Sequence, residues 1–140
     1  MTRDPAEALR ERGIQPSAQR LAIARYVLDT RDHPSADQVW SRVREGFPML
    51  SRATVYNTLG LFVKKGLLRQ LPLAENSVVF DPNLERHHHF IDQKTGAIHD
   101  VPWNSLEVRK VGALKGYEIR EYQVVMQGRR RRGAGEKPGK

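Results

Sequence analysis

Ser51-Arg52-Ala53-Thr54-Val55-Tyr56-Asn57-Thr58-Leu59 decides the fold of this 140-residue chain. Ser51 is a helix N-cap, and Val55, Leu59 and Phe62 recur at i, i+4 and i+7 up to a stop near Gly66. The apolar stripe points inward, which leaves Arg52, Ala53, Thr54, Tyr56 and Asn57 around the exposed N-terminal half. Such a helix end can read double-stranded DNA. Its free N–H groups and dipole favour phosphate, and Arg and Asn match the edges of guanine and adenine.

Upstream, Gly13 ends a first helix over about residues 5–12. Ser17 caps a second, in which Leu21, Ala24 and Leu28 recur up to the polar turn Thr30-Arg31-Asp32-His33-Pro34. Ser35 and Gln38 make a capping box for a third, whose stripe Ala36, Val39, Trp40, Val43 is closed by Gly46 and Pro48. Downstream the apolar period shortens. Residues 67–73 and 78–80, joined through Pro72, Glu75 and Asn76, predict a hairpin. Helices followed by a hairpin make a winged helix-turn-helix, assigned to residues 1–82. Arg20, just after the Ser17 cap, then joins Arg52, Thr54, Tyr56 and Asn57 as a DNA contact, with Lys64, Lys65 and Arg69 as further phosphate contacts.

Beyond Pro82 the pattern predicts strands over 88–91 and 97–101, a helix around 105–114 and a strand over 117–127. These form a small α/β unit, residues 83–128. Alone it could bury little core, so it is expected to dimerise. Residues 129–140 are expected to be a basic disordered tail. The fold class is α+β.

The formal charge is +8. Residues 1–82 carry 12 Lys/Arg against 9 Asp/Glu, residues 83–128 carry 6 against 6, and residues 129–140 carry 6 against 1. The excess lies on the helical half and the tail, which points to a polyanionic partner, nucleic acid rather than membrane. No run approaches the ~20 apolar residues of a membrane span, and the N-terminus has no apolar leader, so the expected location is cytoplasmic. The chain has no cysteine. Disulfides, thiolate nucleophiles and Cys-x-x-Cys zinc sites are therefore excluded, and any metal must use His, Asp, Glu or backbone.

His87-His88-His89 supplies such donors. On a strand, His87 and His89 lie on one face and His88 on the other. Asp81 and Asp100 lie in neighbouring apolar stretches from which two carboxylates could fold back towards the paired imidazoles. That outlines a nitrogen and oxygen metal site.

The order Gln19-Arg20-Leu21-Ala22-Ile23, His33-Pro34-Ser35-Ala36, Ser51 to Leu59, Gly66-Leu67-Leu68, Val79-Phe80-Asp81 and His87-His88-His89 resembles the ferric uptake regulator family over nearly the whole chain. The resemblance implies a homodimeric, metal-dependent winged-helix repressor of a palindromic DNA operator, not an enzyme. It implies His33, Asp81, His87, His89 and Asp100 as ligands of a regulatory Fe(II) or Mn(II), a donor set that zinc could also enter in vitro. His33 would come from the DNA-binding half, so that metal clamps the two halves together. The family's two Cys-x-x-Cys pairs for a structural zinc are missing: Asp92 and Thr95 occupy the first pair's positions, and Arg130 and Gly133 roughly the second's. His88 and His99 are expected to be structural or surface residues beside the ligands.

Aspartate at positions 81 and 100 resembles the peroxide-sensing branch, in which iron and peroxide oxidise a ligand imidazole; His33 and His87 would be the targets. Cysteine-free members with His-His-His-Phe also resemble the iron response regulators that answer to haem status, so both signals stay open. Two rivals come from other classes. A non-haem metalloenzyme could use two histidines and a carboxylate, but no nucleophile motif accompanies them. A purely architectural basic DNA binder predicts binding that ignores metal.

Overall fold

The structure is a computed structural model that describes residues 4–74 and 77–132. The chain divides into two compact units, residues 1–84 and 85–140.

In the first unit, α1 (Pro5–Glu11), α2 (Ala18–Val27), α3 (Ala36–Val43) and α4 (Arg52–Lys64) precede a hairpin of β1 (Arg69–Ala74) and β2 (Ser77–Asp81). The starts obey local chemistry. Ser17, Ser35 and Ser51 each accept a backbone N–H three residues on, and Ser35 with Gln38 closes the expected capping box. Gly13 and Gly66, both with positive φ, follow α1 and α4, where the left-handed turn favours glycine. One core joins Leu9, Ile23, Val27, Val39, Val55, Leu59, Phe62, Leu67 and Phe80.

The second helix turns differently from its expected stripe. Ile23, Ala24 and Val27 are buried, whereas Leu21 and Leu28 are half-buried. Apolar residues spread around most of α2, so spacing alone could not fix its inner face; packing chose it. Residues 75 and 76 of the expected hairpin turn lie outside the described residues. β1 and β2 pair antiparallel with Arg69 opposite Asp81 and Leu71 opposite Val79. The segment entering α3 is tied to this wing: Phe80 N–H donates to Pro34 O at 2.9 Å, and Ser35 bridges Val79.

The second unit is built on β3 (His87–Asp92), which pairs antiparallel with β4 (Ile98–Pro102) and parallel with β5 (Val125–Gly128). The helix expected around residues 105–114 does not form. Two 3₁₀ turns, Trp103–Ser105 and Val111–Ala113, stand near there, and Lys110 adopts φ 66°. Val108, Val111 and Gly112 are poor helix formers, and residues 107–110 are all exposed, so no buried face stabilises a helix. The strand expected over 117–127 shrinks to Val125–Gly128, the stretch that pairs with β3 between His89 and Asp92. Of the expected tail, Arg129 to Arg132 are exposed, and residues 133–140 lie outside the described residues.

Candidate metal centre and nucleic-acid interface

The first unit contributes a buried histidine and carboxylate. His33 Nε2 lies 3.2 Å from Asp81 Oδ2, and both side chains are almost fully buried. The tie between Pro34 and Phe80 brings the start of α3 to the end of β2, so residues 48 apart in sequence meet. His33 sits at φ 52°, in the left-handed region. That conformation costs roughly 1–2 kcal/mol for a residue with a side chain, and the Pro34–Phe80 bond helps to hold it. His33 Nδ1 faces Arg31 O at 3.0 Å, and Asp81 Oδ1 accepts Asn83 N–H at 2.9 Å.

The second unit contributes two histidines and a carboxylate. His89 pairs across the ladder with Asp100, and residues directly opposite in an antiparallel pair share a face. His87, two residues earlier on β3, shares that face too. His87 Nε2 is 3.4 Å and His89 Nε2 is 3.7 Å from Asp100 Oδ1, and the two rings meet edge to face at 4.5 Å. Both histidines are buried, while Asp100 is about one-third exposed.

A common rule orients these rings. His87 Nδ1 lies 2.6 Å from Glu85 O, and His89 Nδ1 lies 2.7 Å from Gln123 Oε1. Like Arg31 O beside His33, each partner is a carbonyl oxygen, which can only accept. Each Nδ1 therefore carries a proton, and Nε2 is the ring nitrogen left to face a carboxylate. Two atoms each about 2.1 Å from one ion stand ~3.0–3.4 Å apart at angles of 90–109°. The His33–Asp81 and His87–Asp100 separations are of that size.

His88 obeys the opposite rule, as alternation on a strand requires. Its Nδ1 accepts Val124 N–H at 3.0 Å, and its ring stacks on Trp103 at 4.4 Å and 14°. Burial pushes its pKa down. Arg86 covers the stack, 4.0 Å from the Trp103 ring centre. His99 is exposed and stacks loosely on Phe90 at 6.3 Å.

On α4, Arg52, Ala53, Tyr56 and Asn57 are exposed and Thr54 is half-buried. Arg20 is half-buried, and its guanidinium donates to Gln15 O at 3.0 Å. An open polar groove of about 380 Å³ runs between Gln15, Ser17 and Arg20 on one side and Thr54, Asn57 and Thr58 on the other. Lys64 and Lys65 are exposed; Arg69 is half-buried on the wing.

Two contributors carried no signal in the sequence. Gln123 orients His89 from 34 residues away, and the strand pattern read over residues 117–127 gave no sign of that partner. Asp37, in the first turn of α3, accepts the Tyr56 hydroxyl at 3.1 Å and stands 3.8 Å from Arg52 Nε. Its carboxylate holds the Tyr56 phenol above the ordinary pKa. An acid in a first turn reads as a helix-dipole partner, so only the tertiary fold shows what it touches.

The model of the ferric uptake regulator family matches residues 11–127. The peroxide-responsive repressor PerR of Staphylococcus epidermidis is 36% identical over 100 residues, 71% of this chain and 67% of that protein. PerR of Staphylococcus aureus strain Mu50 is 31% identical over 123 residues, 86% of this chain and 83% of that one. In fold, the chain resembles the Vibrio cholerae ferric uptake regulator with a TM-score of 0.73 at 21% identity, across 90% of this chain and 99% of that one. This chain belongs to the ferric uptake regulator family.

Proposed function

We propose that this chain is a peroxide-responsive, metal-dependent repressor of transcription, in which His33, Asp81, His87, His89 and Asp100 hold one Fe(II) or Mn(II) ion. The observation that carries the reading is the common orientation of three imidazoles, each with Nδ1 on an oxygen acceptor and Nε2 turned to a carboxylate. The first unit offers two donors and the second offers three. In this reading all five act on one ion. Neutral imidazoles and carboxylates without sulfur suit Fe(II) and Mn(II), and zinc enters such a set in vitro because its intrinsic affinity is higher.

Sharing an ion couples metal to DNA. If the ion binds ~100-fold tighter when both units contribute ligands, it stabilises that arrangement by about 2.7 kcal/mol, enough to switch operator occupancy. Arg52, Thr54, Tyr56 and Asn57 then read base edges from α4, and Arg20 contacts phosphate beside them. The second unit supplies the dimer contact, and a two-fold dimer fits a palindromic operator. Among its described residues only His87, His88 and His89 are buried, while Leu114 and Tyr117 are exposed at 55% and 74%. No helix among the described residues is long and apolar enough to cross a membrane, and a regulator of this kind works in the cytoplasm, beside its DNA.

The two staphylococcal relatives are peroxide-responsive by name, and their identity with this chain supports the same signal here. Fe(II), when bound, would supply the reducing chemistry towards peroxide that Mn(II) would not. By its resemblance to the peroxide-sensing branch we read the rings of His33 and His87, among the three ligand imidazoles, as the oxidation targets, and oxygen added to either would weaken the donor set. Peptide mass spectrometry after peroxide treatment tests this. Oxygen added at His33 or His87 with Fe(II), and not with Mn(II), is the expected result. None with either metal would overturn the peroxide signal and leave iron or haem status in its place.

A further inference from the structure

A carboxylate in the middle of a DNA-reading surface needs a reason. Asp37 is 58% exposed, beside Arg52 at 61% and Tyr56 at 52%. It accepts the Tyr56 hydroxyl at 3.1 Å and faces Arg52 Nε at 3.8 Å. The Arg52 guanidinium also lies over the Trp40 ring at 4.5 Å, and Arg44 lies over the same ring at 4.1 Å. Trp40 is fixed in turn, its indole N–H donating to Leu50 O at 2.9 Å. One acid and one indole of α3 thus hold two exposed side chains of α4.

We infer that Asp37 is a specificity-determining positioning residue: it holds Arg52 and Tyr56 away from phosphate, so that they engage DNA only where a base edge repays the lost contact. The inference rests on the reading of α4 as the DNA-reading helix. Phosphate attraction supplies most of the binding that ignores sequence, and a free arginine at a helix N-terminus would add to it everywhere. Asp37 opposes that by occupying Arg52. A guanidinium fixed by Asp37 and Trp40 suits a guanine edge, which needs one bidentate geometry, whereas phosphate contact gains most from a guanidinium free to move to it. Asp37 therefore weakens all binding and weakens non-specific binding most.

The test uses the Mn(II)-loaded protein with Asp37→Asn, Arg52→Ala and the double variant. The probes are a mixed-sequence 30-base-pair duplex, titrated against salt, and selection from a randomised duplex library. Asp37→Asn should tighten binding to the mixed duplex about threefold to tenfold and steepen the salt slope by about 0.9, one phosphate contact. It should also flatten the selected base preference. In the Arg52→Ala background these changes should largely vanish. If Asp37→Asn acts equally in both backgrounds, Asp37 is a bulk repulsive charge and the inference fails; if it changes neither slope nor preference, it fails outright. Asp37 and Arg52 are exposed, and a thermal melt of each variant checks that the unit is folded. Failure of the underlying reading looks different: the unaltered protein then selects no sequence at all.

Discussion

At the scale of single residues, three neighbours on one strand do two jobs because alternation separates them. His87 and His89 keep Nε2 for a carboxylate, while His88 spends its Nδ1 lone pair on Val124 N–H and its ring face on Trp103. Substitution should tell them apart. His89→Ala removes an oriented donor, so Mn(II) should no longer strengthen DNA binding, with little change in the fold of the first unit. His88→Ala leaves the ligands in place and opens a cavity against Trp103. We expect it to cost about 2–3 kcal/mol of stability while Mn(II) still binds at one ion per chain. Isothermal titration with a thermal melt separates the two, and loss of Mn(II) binding in His88→Ala with its fold retained would contradict the assignment.

At the scale of elements, the β3–β4 turn shows how the chain manages without the cysteines that its family places there. Asp92 Oδ1 accepts Lys94 N–H at 2.9 Å and Thr95 N–H at 3.4 Å, and Thr95 Oγ1 accepts Ala97 N–H at 3.1 Å. Gln93 N–H reaches Gly128 O of β5 at 2.7 Å, so the turn also ties down the third strand. These N–H donors hold the Asp92 carboxyl below its ordinary pKa. The sign follows by linkage. A depressed folded-state pKa gives stability that is fully present above the unfolded value, about 3.9, and is lost as pH falls through the folded one. The melting temperature of the unaltered protein should exceed that of Asp92→Asn by a constant margin above about pH 5. The margin should shrink below pH ~4, and a margin independent of pH would show that the charge contributes nothing. Local chemistry of this kind was legible in the sequence wherever a motif is contiguous. Caps at Ser17, Ser35 and Ser51, the α4 stripe and the alternation at His87 to His89 all depend on near neighbours. The inner face of α2, the irregular stretch after Trp103 and the partners Gln123 and Asp37 depend on packing between distant segments, which no local period encodes.

At the scale of the whole molecule, the described residues of the second unit bury little apolar surface of their own. Its described residues bury three histidines and no large apolar side chain, whereas the first unit has a continuous core. At roughly 25 cal/mol per Å² of apolar surface, a three-stranded sheet without such a core gains too little to offset the entropy of ordering its chain. Val108, Leu114, Tyr117, Ile119 and Val125 are exposed apolar residues in the segment that joins β4 to β5 and in β5 itself. A second copy covering them would supply the missing burial, and would set two α4 helices on one duplex. Binding two half-sites through linked readers raises affinity far beyond that of one reader, because the second contact becomes intramolecular. Charge placed in the apolar segment should therefore act on DNA without touching it. For Leu114→Asp with Tyr117→Asp we expect a monomer by sedimentation, a lower melting temperature and operator binding weakened by about 100-fold or more. A fragment carrying a single half-site should be bound almost equally by the double variant and the unaltered chain. A variant that stays dimeric, or a monomer that keeps full operator affinity, would move the dimer contact off this segment.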